Sequence, residues 1–392
     1  MGSKGRIKLL YLAYFAALGA VYPYQVLFLE RKGLSATQIG LIGSAAAGVA
    51  ILPGLLWMTW SDRAGRRKPF VLFGFASQMA LWLAISGASS FGQFLFLMLV
   101  ASTMVPPLEA LLNVVVLSGI DKAKTGTEYS LVRIWGSLGW MVSAAVAGTV
   151  VQATELRFSF FLGSGLLILC MMLPLGKGAP GAESRTERRE EARELRQAVP
   201  FIAATVIRAL SVGMAYTFLS IYLDDIGTPY WLLGWGWAIS ALPELPIMVL
   251  AGRMSDRMGR LPLLIAGFLC SSTMAFAYAV VRSPVLAVPL LAMSGVSFGL
   301  SYIASVGYVA DISPYNRQAT AQGLYEVLTT NVPRVAGPLL GGVMIDRMGL
   351  GTLFSLSGAL SLLAALVLVP EWAKVRGRGK EGCQLRDGKG CR

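Results

Sequence analysis

Long apolar runs, each close to the length of a bilayer crossing, alternate along this chain with short breaks rich in charge, glycine or proline. A helix crosses the hydrocarbon core in about 20 residues. On that measure the pattern predicts twelve spans. The first six lie at about 7–29, 36–59, 69–89, 91–118, 129–152 and 157–176. The second six lie at about 199–222, 232–252, 261–281, 285–310, 318–345 and 351–370. No ten-residue segments alternate with period two, as the strands of a lipid-facing barrel would. The opening run is too long for the apolar region of a signal peptide and lacks a clear A-x-A site, so it is read as the first span, entering from the cytoplasm.

One break differs from the rest. Residues 177–198, GKGAPGAESRTERREEARELRQ, carry both charge signs densely and turn strongly helix-forming after an initial Gly and Pro. This reads as a solvated cytoplasmic linker. It separates an N-terminal six-helix bundle, 1–176, from a C-terminal one, 199–372, and a basic cytoplasmic tail follows at 373–392. The halves echo each other. WSDRAGRRKPFVLFG follows the second span and GRMSDRMGRLPLLIAG follows the eighth. Both contain S-D-R-x-G-R, with Asp62 and Asp256 standing 194 positions apart. An internal repeat of that size in an all-helical membrane protein points to a transporter. The expected fold is an all-α membrane protein of twelve transmembrane helices in two pseudo-symmetric six-helix bundles.

Charge sharpens this picture. Only 14% of residues are charged, against about 25% in soluble domains. The net charge of +13 is not a nucleic-acid signal, because its distribution is lopsided. About 26 of the 34 Lys and Arg fall in loops assigned to the cytoplasm and about five in loops opposite. That is the positive-inside bias. It places both termini in the cytoplasm and the chain in a cytoplasmic (inner) membrane of a prokaryote. With no histidine, a His-containing zinc site and the Ser-His-Asp or Cys-His sets are excluded. No Walker loop, nucleotide fingerprint or metal cluster is present, so no enzyme activity and no cofactor are expected. The four cysteines read as reduced thiols, and the bundle's closed core suggests a monomer.

Two groups of residues carry candidate function. The repeated loops contribute Asp62, Arg63, Gly65 and Arg66, then Asp256, Arg257, Gly259 and Arg260. The glycines permit a tight turn. The acids and bases can make contacts in one conformation that break in another, as a gate requires. The second group lies within spans, where a charge costs at least ~2.5–3.5 kcal/mol and should face a cavity or partner. It comprises Glu109, Arg133, Arg208, Glu244, Glu326 and Arg334. Arg133, Ser137 and Trp140 share one face of the fifth span, and Glu109 and Asn113 one face of the fourth. A carboxylate paired with a guanidinium beside an indole can grip a polar ring. Glu244, between Pro243 and Pro246, could cycle between protonated and charged forms. Arg208, Glu326 and Arg334 complete a charge network in which Arg208 could pair with Glu326.

The paired loops resemble the signature of the major facilitator superfamily, and the resemblance spans about residues 7–370. The first copy departs from it at Met58, where the leading glycine would stand. The segment TEYSLVRIWGSLGW, with PPLEALLN before it, is similar to the lactose permease, nucleoside and phenylpropionate proton symporters. That resemblance implies substrate-holding roles for Glu109, Arg133 and Trp140. It also implies alternating access and proton coupling. The group's usual histidines on the tenth span are replaced by Ser294 and Tyr302 in MSGVSFGLSY, so its coupling chemistry does not carry over directly. The expectation is a secondary active transporter for a small polar ring compound (sugar, nucleoside or aromatic acid), with protons as co-substrate. Efflux of drugs or amphipathic metabolites by antiport is the alternative, and sodium coupling or uniport stay open.

Overall fold

The computed structural model describes residues 3–65, 67–105, 108–109, 111–112, 125–173, 192–312, 325 and 327–384. Asn113, Arg66 and Glu326 lie outside the described residues, as do the side chains of Asp62 and Asp256 and most of the linker. Among the described residues all regular structure is helical. Lipid offers the backbone no hydrogen-bond partners, so each crossing must satisfy its own.

The N-terminal half contains α1 (Ser3–Arg31), α2 (Ala36–Ala64), α3 (Lys68–Gly87), α4 (Phe91–Met104), α5 (Thr125–Ala153) and α6 (Phe158–Met172). The C-terminal half contains α7 (Ala192–Asp225), α8 (Tyr230–Ala241), α9 (Glu244–Met258), α10 (Arg260–Val280), α11 (Pro284–Ile312), α12 (Val332–Met348) and α13 (Leu350–Gln384). Nine described helical stretches are long and apolar enough to cross a membrane, with Phe91–Met104 and Phe158–Met172 as shorter apolar helices. Two details depart from the sequence expectation. The eighth span is broken at Leu242 and Pro243, so α8 and α9 are separate helices and Glu244 opens α9. The last helix runs to Gln384, well past the expected end near 370.

Successive spans run antiparallel, with α8 and α9 together making one crossing, which defines two faces. The linker face carries the turns after α2 and α9. The far face carries the turns after α1, α5, α7 and α12. At the linker face, Gly65 and Gly259 take φ of +61° and +85°, the left-handed region in which a side chain is strained.

The halves meet through α2 against α12 and α5 against α8. Apolar side chains give helices little reason to associate in lipid, so close backbone approach matters. A methyl group on Gly40 would strike the Pro338 carbonyl, and one on Gly234 would strike that of Ala144. Both partners of the second contact are offset from those of the first by the repeat length of 194. The separation then widens along α2. A Cβ on Gly43 would lie 3.4 Å from Pro338, one on Gly48 4.0 Å from Val335, and one on Gly54 would meet nothing within 4 Å. Among the described residues the halves therefore form a V, sealed at the far face and open at the linker face. The core agrees. One buried cluster joins Leu27, Phe28 and Ile39 to Phe218, Tyr222 and Leu233 of the other half. A second, with Phe201, Leu264 and Ala304, belongs to the C-terminal half alone.

Hydrogen bonds lock the far-face seam. Asp346 at the end of α12 caps the start of α2, accepting from the Ala36 and Thr37 N–H groups at 3.1 and 2.8 Å. Gln152 at the end of α5 caps the start of α8, accepting from the Tyr230 N–H at 2.8 Å. Ala36 and Tyr230 are again 194 apart, as are Gln152 and Asp346. The same cap is built twice, once with a carboxylate and once with an amide. Partial burial pulls the Asp346 carboxyl upward, but hydrogen bonds from Thr37, Ser35 and Ala36 outweigh that and hold it below the ordinary aspartate value. Arg31 adds an ion pair to Asp224 across the seam at 2.5 Å.

Candidate functional site

Beneath that seam lies a cavity of about 600 Å³ walled by both halves. The Arg133, Ser137 and Trp140 face of α5 supplies one wall, as its i, i+4, i+7 spacing requires. Glu109 joins it, and α1 adds Phe15 and Tyr22. Opposite stand Arg208 and Tyr216 of α7, Trp237 of α8, Glu244 of α9, Ser294 of α11 and Arg334 of α12. Thus Glu109, Arg133, Ser137, Trp140, Arg208, Glu244 and Arg334, which are scattered along the sequence, share one chamber.

Their contacts differ from the sequence expectation. Glu109 and Arg133 make no bidentate pair, and neither takes part in an ion pair among the described residues. Glu109 is exposed in the open cavity, where hydration competes with pairing. The Arg133 guanidinium instead lies 4.5 Å from the centre of the Phe15 ring, a cation–π contact worth about 0.5–2 kcal/mol. Glu244 of the opposite half lines the same chamber. The helix break explains that placement, because a continuous helix would not start a new first turn at Glu244. Trp140 is half-buried, with its ring 6.3 Å from that of Tyr22. The two ring planes are tilted by 54° and form an angled aromatic wall with polar tips.

The gate loops are partly visible. Arg63 and Arg257 are exposed. Arg260 donates from Nε to Asp311 at 3.1 Å and from a terminal nitrogen to Ser255 at 2.5 Å. Those contacts stay within one half, as an open linker face requires.

Several lining residues were not foreseen. Phe15, Tyr22, Tyr216 and Trp237 look like ordinary span aromatics in the sequence. Thr329 and Thr330 enter the cavity from a π-helical turn, Val327–Asn331. Pro333 has no N–H to return to the carbonyl four residues earlier, which favours the wider turn. The far-face cap also left a sequence trace. Asp346-Arg347-Met348-Gly349 repeats the D-R-M-G of Asp256 to Gly259 on the opposite face.

Two helical bundles joined by a repeat, closed at one face around a charged chamber, define a membrane transporter. The chain belongs to the MFS_1 like family, which matches residues 5–356. It is similar to the maltose permease of Geobacillus stearothermophilus, with 26% identity over 384 residues and 95% of each chain covered. It is also similar to the multidrug resistance protein MdtG of Enterobacter lignolyticus (strain SCF1), with 23% identity over 372 residues, 90% of this chain and 87% of that one. Among solved structures, a variant of the nucleoside transporter NupG superposes with a TM-score of 0.81 at 15% identity, covering 94% of this chain and 99% of that one.

Proposed function

We propose that this transporter moves a small polar ring compound (a sugar, nucleoside or aromatic acid) by alternating access with protons as the driving ion. The observation that carries this reading is the single chamber in which Trp140, Arg133, Ser137 and Glu109 face Glu244 across the interface. An indole face and convergent polar groups suit a hydroxylated ring. Asn113 and Glu326 join the site in this reading. The unit boundaries at 1–176, 177–198, 199–372 and 373–392 are part of it. So are a monomeric state, a place in the cytoplasmic (inner) membrane of a prokaryote, and a linker face and both termini in the cytoplasm. The structure is then an inward-open carrier. The S-D-R-x-G-R loops, with Asp62, Arg66 and Asp256, close against the opposite half when the cavity turns outward. Glu244 serves coupling, because its charge state alters attraction to Arg133 across the moving interface.

A ligand thermal-shift screen on the purified protein tests this, since compounds that bind the native state raise its melting temperature. The panel spans sugars, nucleosides, aromatic acids and cationic drugs at two pH values. A ring-compound hit lost in Arg133→Ala supports the reading. Unchanged affinity in that variant removes Arg133 from the site. Glu244→Gln should abolish pH-driven uptake while sparing exchange. The second reading, efflux of amphipathic compounds by antiport, is favoured by the likeness to MdtG and by the aromatic walls. Hits confined to hydrophobic cations and indifferent to Arg133 would establish it.

A further inference from the structure

Arg208 occupies a setting of its own on α7. Its guanidinium lies 5.3 Å from the centre of the Phe268 ring. One terminal nitrogen donates to Ser297 Oγ at 2.9 Å. Ser297 passes its own proton to the Gly267 carbonyl at 2.8 Å, which orients its oxygen as an acceptor. The Nε of Arg208 is sealed from solvent and has no hydrogen-bond partner, and the same is true of Ser301 Oγ. Ser301 follows Ser297 by one helical turn on α11, so both lie on one face. Arg208 and Ser301 line a side pocket of about 440 Å³ that shares Arg208, Phe298 and Thr329 with the central cavity.

A buried donor left unpaired costs about 1–3 kcal/mol, and more when charged. The described lining of the side pocket includes hydroxyl-bearing residues but no carboxylate. Among the described residues that line the side pocket, Arg208 is the one charged group. A ligand with one negative charge matches that guanidinium. A phosphate, at nearly two charges, would overshoot it.

We infer that the side pocket is an anion subsite and that the transported ring compound carries a single carboxylate, held by the Arg208 guanidinium and the Ser301 hydroxyl, both turned out of their buried positions on binding, while its ring lies toward Trp140. The inference rests on the reading that the central cavity binds a polar ring compound. It assigns Arg208 to substrate recognition rather than to the coupling network.

The test is a thermal-shift titration of the full chain with matched pairs: D-glucuronate against glucuronamide, and 4-hydroxyphenylacetate against its amide. A charge-assisted bond makes the acid of at least one pair bind roughly ten- to hundredfold tighter than its amide. Arg208→Gln should erase that preference. Ser301→Ala should reduce it severalfold, and it serves as the decisive variant if Arg208→Gln does not fold. Amides binding as well as acids in the unaltered protein overturns the inference, as does an acid preference that survives both substitutions. Neutral sugars or nucleosides binding better than the acids, with sensitivity to Arg133→Ala, sinks the carboxylate but leaves the central reading standing. A panel in which no ring compound binds, charged or neutral, sinks both.

Discussion

The far-face seam and the cavity beneath it follow opposite rules. The seam is built twice. Gly40 on Pro338 is repeated as Gly234 on Ala144, and Asp346 capping Ala36 is repeated as Gln152 capping Tyr230. Every partner is displaced by the same 194 positions. The cavity is built once. That offset carries Trp140 to Arg334, Arg133 to Val327 and Arg208 back to Tyr14. Closure of two similar bundles is a symmetric task, so equivalent surfaces meet and any change is felt on both sides. A cargo without a two-fold axis puts no such constraint on the residues that line the cavity, which are free to diverge.

The largest expected effect comes from breaking both copies of the seam. Gly40→Leu with Gly234→Leu forces side chains into backbone carbonyls. Overpacking costs about 1–3 kcal/mol per site, so the open far face should gain at least roughly tenfold in population. Maleimide labelling at Gln38→Cys, in a background lacking the native cysteines, reads this directly. Unchanged labelling would show that the seam does not hold the closed state.

Trp140→Ala tests the other region. It should weaken ring-compound binding by about 2 kcal/mol, or roughly thirtyfold, while far-face labelling stays as in the unaltered protein. A parallel change in labelling would mean that seam and cavity are not separate.

A smaller effect sharpens the comparison between the two caps. Asp346→Ala should cost the closed seam about 0.5–2 kcal/mol, and Gln152→Ala less, because a neutral acceptor holding one N–H does less than a carboxylate holding two. Asp346→Gln turns the Asp346 cap into a copy of the Gln152 cap and should fall between. Equal labelling rates in all three variants would contradict the charge argument.

The smallest effect is the pH response. Asp346 is held below its ordinary value by its hydrogen bonds in the closed state. Its contribution is therefore complete above the ordinary aspartate range, near pH 4, and is lost as pH falls through the lowered value. Far-face opening, read as the labelling rate divided by that of a fully exposed reference cysteine at each pH, because the thiolate fraction itself changes with pH, should stay flat from pH 5 to 8 and rise only in stronger acid, and Asp346→Asn should remove that rise. A change near neutrality that persists in Asp346→Asn would assign it to another group.

Much of this architecture was legible from one dimension. Span length, the charged linker and the paired S-D-R-x-G-R loops depend on local composition and on repetition, and both survive in a linear string. The residues that share a helix face, Arg133, Ser137 and Trp140, were legible for the same reason. Whether Glu109 or Phe15 would meet Arg133 was not legible, because both lie at suitable places on neighbouring helices. Rotation of one helix against another decides between them. Thr329 and Thr330 were missed because a π-helical turn changes which side chains point inward, and the role of Pro333 in that turn shows only once the turn is seen.

The sequence by itself determined that this chain is a two-bundle helical membrane carrier with charges reserved for its interior. Hydrophobic length and the cost of buried charge act residue by residue. Tertiary structure alone decided which face is sealed, that Glu244 opens a new helix opposite Arg133, and that Arg208 Nε and Ser301 stand without partners beside a pocket. Those facts are distances between segments far apart in the chain. They are set by close packing, in which a single methyl group at Gly40 would be felt across the interface.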